Sequence, residues 1–389
     1  MNRNSRLLAT AFALAVIAGV VIHFHQRSPV GQPSLAGSPG IPNKTASEAS
    51  SPSKPEPSAA ADPVAELHAR LEATLAQLSA SQDAEANRKL LAELRTYLAT
   101  LPPAEASLAI QSFLAESRDA ATKLDVTINS GGSLDDSSSL RVFLLDYLGL
   151  IDRPAAGTLA TQVLSHYTTP DEWAVSLRNY AWANPGLASE AYLQTKAREL
   201  IANPAWTKEP SSGFLEAFDS IVYAHGTALT PELTTLVRDK DNRATAHAAY
   251  LTLDRLTIAE PATTLKQLLD QPDLMKGREQ TRANYFARAD VRQPEQRALV
   301  EQYLIDPART SEELATIAGL YPNANYMISN NLLTTVQTPK HEELAAQDQE
   351  ALRAVEQWQV DPRFDHLKPQ LAQIRQRLAE FVRQAAQNR

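Results

Sequence analysis

Apolar residues recur at the 3.6-residue period of an amphipathic helix along the chain beyond about residue 64. Leu140, Phe143, Leu144, Tyr147, Leu148 and Ile151 fall at i, i+3, i+4, i+7, i+8 and i+11, which is one face of a helix. Leu371, Ile374, Leu378, Phe381 and Ala385 repeat the pattern near the end. Leu90, Leu91, Leu94, Leu98 and Leu101 repeat it near the start, before Pro102-Pro103 closes that helix. Start signals punctuate the pattern. Thr169-Pro170-Asp171-Glu172 places a capping hydroxyl, a proline at the first helical position and a glutamate three residues on. Thr310 and Glu313 form a similar pair, and Thr230-Pro231-Glu232, Glu260-Pro261 and Gln293-Pro294-Glu295 mark further starts. Asp125-Val126-Thr127-Ile128-Asn129 is the one short strand-like run, and Gly131-Gly132 follows at once, so a loop with a brief extended piece is expected. The pattern predicts an all-α body.

The first sixty residues follow other rules. Leu7 to Ile22 is uncharged and, Thr10 apart, built of Leu, Ala, Val, Ile, Phe and one Gly. As a helix these residues rise about 24 Å, and Phe24 extends the run toward the roughly 30 Å of a hydrocarbon core. The expectation is a tail at 1–6, a transmembrane signal-anchor over 7–24 and a linker over 25–63. A cleaved signal peptide is the rival reading, but bulky, polar His23-Phe24-His25-Gln26-Arg27 stands where small residues are needed. Arg3 and Arg6 precede the run, and beyond Arg27 no Lys or Arg appears before Lys44. That bias keeps the short tail in the cytoplasm and exports the body, into the periplasm if the cell is bacterial. The chain has no cysteine, so thiol chemistry and lipid attachment at a Cys are excluded. Ser28 to Pro63 holds eight Pro and eight Ser and no aromatic residue, a composition that cannot offset its ordering entropy and favours an extended spacer.

Within the body, residues 64–130 read as N-terminal amphipathic helices and 131–389 as a helical-repeat-like domain. Arg141, Arg178, Arg243 and Arg282 each stand near the start of an apolar helix that leads into a second one, at intervals of 37, 65 and 39 residues. Asp239-Lys240-Asp241-Asn242-Arg243, followed by an apolar helix, Pro261 and another apolar helix, resembles a HEAT-type repeat. The resemblance covers about 140–304 and implies stacked helical hairpins with a period of about 40 residues. The middle interval departs from it, and an irregular helical domain is the alternative architecture.

Candidate chemistry is sparse. His341-Glu342-Glu343 and His366 near Asp361 and Asp365 lack the i, i+4 histidine pair of a helical zinc site. Asp239-Lys240-Asp241-Asn242 starts like a calcium loop, but Ala244 occupies the sixth position, which needs Gly, and no Glu stands at the twelfth. Phosphate-loop, dinucleotide and nucleophile-elbow motifs are absent, so no cofactor and no metal are expected. Glu216 and Asp219, at i, i+3 beside Phe214 and Phe218, are the best available acid–base pair for an all-α enzyme acting on cell-wall polymer. Trp173, Tyr180, Trp182, Tyr192 and Trp206 form the densest aromatic group, suited either to a peptide or glycan groove or to packing between helices, with packing favoured.

Residues 64–389 carry 32 basic and 42 acidic side chains. That balance argues against nucleic acid, which requires a basic surface to replace phosphate counterions. Two function classes remain. One is a membrane-tethered scaffold or adaptor, monomeric or dimeric, that binds a protein partner without catalysis; the other is the periplasmic enzyme. The anchor, spacer and helical body also resemble the lipase foldases, which implies a chaperone. Arg141-Val142-Phe143-Leu144-Leu145-Asp146-Tyr147 is similar to that family's Arg-x-x-Phe-Asp-Tyr motif but separates Phe143 from Asp146 by two leucines.

Overall fold

The computed structural model describes residues 63–387 except residue 337. The apolar run 7–24 and the spacer up to residue 62 lie outside the described residues. Among the described residues no helix is long and apolar enough to cross a membrane.

The body opens with three helices, α1 (Pro63–Ala80), α2 (Ala84–Leu98) and α3 (Pro103–Ala115). Asp83 caps α2 by accepting from the Glu85 and Ala86 amides, and Pro103 starts α3. A small antiparallel hairpin of β1 (Thr127–Ile128) and β2 (Leu134–Asp136) follows, where the sequence suggested a loop with a brief extended piece. Ser139 then caps α4 (Leu140–Ile151), whose bounds coincide with the apolar face read from the sequence.

From α4 onward the helices stack. They are α5 (Arg153–Val163), α6 (Pro170–Ala183), α7 (Leu187–Ala202), the short α8 (Pro204–Lys208), α9 (Ser212–Glu216) and α10 (Asp219–Tyr223), α11 (Thr230–Arg238), α12 (Arg243–Ala259), α13 (Pro261–Asp270), α14 (Glu279–Phe286), α15 (Pro294–Ile305), α16 (Ser311–Leu320), α17 (His341–Val360) and α18 (Lys368–Gln387). The cap signals act as expected at Thr169, whose hydroxyl accepts from the Glu172 amide, and at Thr310, where Glu313 completes a reciprocal capping box. Thr230 departs from expectation. It is the first residue of α11, with Leu229 in the cap position.

One series of helices forms the spine: α4 packs on α6, α6 on α9, α9 and α10 on α12, α12 on α14, α14 on α16 and α16 on α18. The intervening helices cover it, with α5 on α6, α11 on α12 and α13 on α12, and α15 packs on α13. The 65-residue interval between Arg178 and Arg243 holds an additional step of the spine, broken into α9 and α10. No continuous helix runs through it, which hid it from the sequence period. Helix α4 is apolar nearly all round; its Val142, Leu144, Leu145 and Leu148 are all fully buried, at about 1.5–3 kcal/mol each.

After α16 the chain leaves regular structure. Residues 321–340 form no helix or strand where they are described. The first part, Tyr321–Thr334, returns along the spine toward the hairpin and is called the strap below.

Candidate functional site

The spine helices carry acidic and basic side chains at one level, and these pair across successive helices. Arg178 Nη1 on α6 donates to Asp146 Oδ1 on α4 at 2.6 Å, with both side chains fully buried. Arg255 Nη2 on α12 donates to Asp219 Oδ1 on α10 at 2.5 Å. Arg288, just past α14, grips Asp254 of α12 with two parallel bonds of 2.9 and 2.7 Å. Arg141 reinforces the first step by reaching Glu172 at 3.1 and 3.4 Å. Charges this deep persist only when paired, and guanidinium–carboxylate forks satisfy the remaining donors and acceptors. Burial lowers the Arg178 pKa, and the Asp146 charge and its hydrogen bond act against that shift.

Two stretches of non-helical backbone sit on this ladder. At the Asp146–Arg178 step the hairpin docks: the Leu134 amide donates to Asp146 Oδ1 at 3.0 Å, and Arg178 Nη1 donates to the Gly132 carbonyl at 2.8 Å. At the Asp219–Arg255 step the strap docks. The Leu333 and Thr334 amides both donate to Asp219 Oδ2, at 2.6 and 2.9 Å, and the Thr334 hydroxyl donates to Oδ1 at 2.5 Å while accepting from Arg255. At the Asp254–Arg288 step Arg288 donates to the Asn323 and Asn325 carbonyls, and the Asn323 amide donates to the Ala287 carbonyl at 2.7 Å. Asp146 and Asp219 thus accept main-chain N–H groups, and Arg178 and Arg288 donate to main-chain carbonyls.

The two docked stretches also meet each other. Asn330 Nδ2 donates to the Ile128 carbonyl at 3.0 Å, across 202 residues of sequence. Leu332 is buried, and its carbonyl closes on Gly132, which has φ of 80° and no room for a Cβ. Between these anchors the strap stands clear: Met327 and Ile328 are 47% and 63% exposed.

The acid–base pair singled out in the sequence lies at the strap's docking step. Asp219 is nearly buried, and its two oxygens are taken by Arg255, two amides and the Thr334 hydroxyl. Glu216 beside it is half-buried; burial, and secondarily the Asp219 charge, push its carboxyl up to about 7, against the pull of Arg255.

The aromatic group divides into three sets. Trp173 is buried, stacked on exposed Tyr167 and met edge-on by Trp206, with its indole N–H donating to the His166 carbonyl at 2.8 Å. Tyr180 and Tyr192 pack with ring centres 4.3 Å apart between α6 and α7. Trp182 is half-buried, with Arg178 4.3 Å and Arg153 5.2 Å from its ring centre. Lys196 Nζ lies 5.8 Å from the ring centres of both Trp173 and Tyr192, between the first two sets.

A cavity of about 360 Å³ opens between α2, the hairpin and α4, lined among others by Leu91, Arg95, Leu134, Ser137 and Phe143. Arg95 donates to the Leu134 carbonyl at 3.2 Å and approaches Asp146 Oδ2 to 3.6 Å. Among the described residues no three His, Asp or Glu side chains are placed to hold a metal ion.

Sequence reasoning marked Arg141, Arg178 and Arg282 as repeat features but missed their partners and the whole strap. Arg282 pairs with buried Glu313, which also accepts from Tyr303 at 2.6 Å and Arg309 at 3.3 Å, while Arg243 is exposed. One signal for the strap was available: residues 314–339 contain no charged side chain, in a chain that is 21% charged.

Comparison with known proteins finds no family model that matches the chain, no curated protein similar to it and no solved structure that matches it.

Proposed function

We propose that this chain is a membrane-tethered, extracytoplasmic scaffold that binds another protein and carries out no catalysis. In this reading residues 1–6 stay in the cytoplasm and 7–24 anchor the chain in a single pass, in a bacterial inner membrane. Residues 25–63 space the body into the periplasm, and the body is a HEAT-like solenoid, monomeric or dimeric. The observation that carries the reading is the ladder: buried Asp–Arg pairs at successive helices hold the main chain of extended segments. Stacked helices present long surfaces suited to extended partners, and main-chain hydrogen bonds are a general means of holding extended peptides.

The enzyme reading has one observation in its favour, the carboxyl of Glu216 pushed up to about 7 beside Asp219. Asp219 is already committed to four donors, so it serves the strap rather than a substrate. The foldase resemblance rests on Arg141 and Asp146, and both are spent inside the stack on Glu172 and Arg178.

The test is photo-crosslinking in the native host. A photoreactive residue placed at exposed Met327 or Ile328 should give a discrete adduct with another protein, whereas one at exposed Leu187 should not. Adducts absent at both strap positions, or equal at Leu187, would sink the scaffold reading.

A further inference from the structure

We infer that the ladder between α10 and α14 is a track for an uncharged, non-helical polypeptide segment, and that the strap fills it as an internal substitute which such a partner segment displaces. The inference deepens the scaffold reading above by naming the partner's chemistry. It stands on three features of the strap.

First, the recognition is aimed at main chain. Asp219 takes the amides of Leu333 and Thr334, Arg288 takes the carbonyls of Asn323 and Asn325, and Ala287 takes the Asn323 amide. The strap presents these groups through a bend at Leu332–Leu333 and a turn at Asn323, whose Oδ1 accepts from the Asn325 amide, so the track requires that backbone path rather than the strap's full sequence.

Second, the side-chain requirements are few and neutral. From Asn323 to Thr334 one apolar residue is buried, at Leu332, one hydroxyl bridges Asp219 and Arg255 at Thr334, and one amide pairs with Asn284 at Asn323, at 2.6 Å. The rungs are already neutralised in Asp–Arg pairs, so an added charge on the occupant would be desolvated without a counterion. The strap obeys this rule: no charged residue falls between Glu313 and Lys340. The fitting partner is therefore an uncharged segment able to take the same bend, with an Asn, a Leu-sized residue and, two positions on, a Thr or Ser in the strap's order.

Third, the strap is held at two ends and free between them. Anchors lie at Asn323–Asn325 and Asn330–Thr334, while Met327 and Ile328 project into solvent. That exposed apolar pair gives an incoming segment a place to begin before it competes for either anchor.

The chain's lack of cysteine provides the readout. In the full chain, Ile328→Cys carries the only thiol, and a fluorophore there reports strap mobility by anisotropy. The probe ligand is a synthetic peptide with the sequence of residues 321–336. Adding it should lower the anisotropy, as the strap is released; a scrambled peptide should not. Weakening the strap with Leu332→Ser, or more mildly with Thr334→Val if the first variant loses its helical circular dichroism, should reduce the peptide concentration needed by about tenfold. Adding Arg255→Ala should raise it again. No anisotropy change up to millimolar peptide in both the parent and the weakened strap would overturn the inference, as would an equal effect of the scrambled peptide. This test uses no cellular partner. A negative crosslinking result with a positive peptide result would retire the scaffold reading in its cellular form and keep the track; the opposite pair would overturn the track and leave a partner that binds the exposed strap itself.

Discussion

Arg178 and Asp146 have the most at stake among single residues, because both are fully buried and each is the other's counter-charge. Replacing Arg178 by Met leaves the buried Asp146 carboxylate with only the looser Arg95 guanidinium, 3.6 Å from Oδ2, for which a destabilisation approaching about 3–5 kcal/mol is expected. Changing Asp146 to Leu in the same chain removes the stranded charge and should recover much of that loss. Urea unfolding of the two variants checks this; equal stability of single and double variants would show that the pair is not coupled. Glu216 makes a second test. Its carboxyl stands at about 7 when folded against an ordinary 4.5, so between those pH values the folded state keeps a proton that the unfolded chain has released. Stability should therefore fall as pH rises from about 4.5 to 7 and then level off, by about 1–3 kcal/mol. Glu216→Gln should remove that contribution; an unchanged pH dependence of the urea midpoint would contradict the assignment. Part of this was visible beforehand. Glu216 and Asp219 stood out as a pair beside aromatics, but nothing in the sequence said that Asp219 would accept amides from residues more than 110 positions away.

At the scale of elements, legibility followed locality. Helix α4 spans the same residues as the apolar face read from the sequence, Leu140 to Ile151, because that signal is local. The interval 212–223 could not, because Phe214, Phe218 and Ile221 keep an apolar face while the backbone breaks between α9 and α10. The strap was invisible to periodicity, since its conformation is imposed by partners elsewhere in the chain. Gly132 marks where this matters most. A side chain there would face both a positive φ and the Leu332 carbonyl, so Gly132→Ala should separate hairpin from strap. The expected readout is faster proteolysis near Met327 with helical circular dichroism unchanged. If cleavage there stays at the parental rate, the hairpin does not support the strap.

For the whole molecule, the body gains its order from neighbour-to-neighbour stacking, and the strap adds links that skip neighbours. Its anchors tie α14 to the hairpin before α4 and to α10 and α12. The net acidic charge of the body, 32 basic against 42 acidic side chains, still sets the expectation for nucleic acid: no binding at physiological salt. The central claim is that paired Asp and Arg side chains hold the strap by its main chain. Amide hydrogen exchange in the full chain, with Asp219→Asn beside the parent, addresses it directly. Hydrogen bonds to a charged group are worth about 1.5–3 kcal/mol, so the Leu333 and Thr334 amides should exchange at least about tenfold faster in the variant. The amides of α12 and α14 should keep their parental rates. Unchanged exchange at Leu333 and Thr334, or loss of protection spread evenly through α12 and α14, would contradict the account.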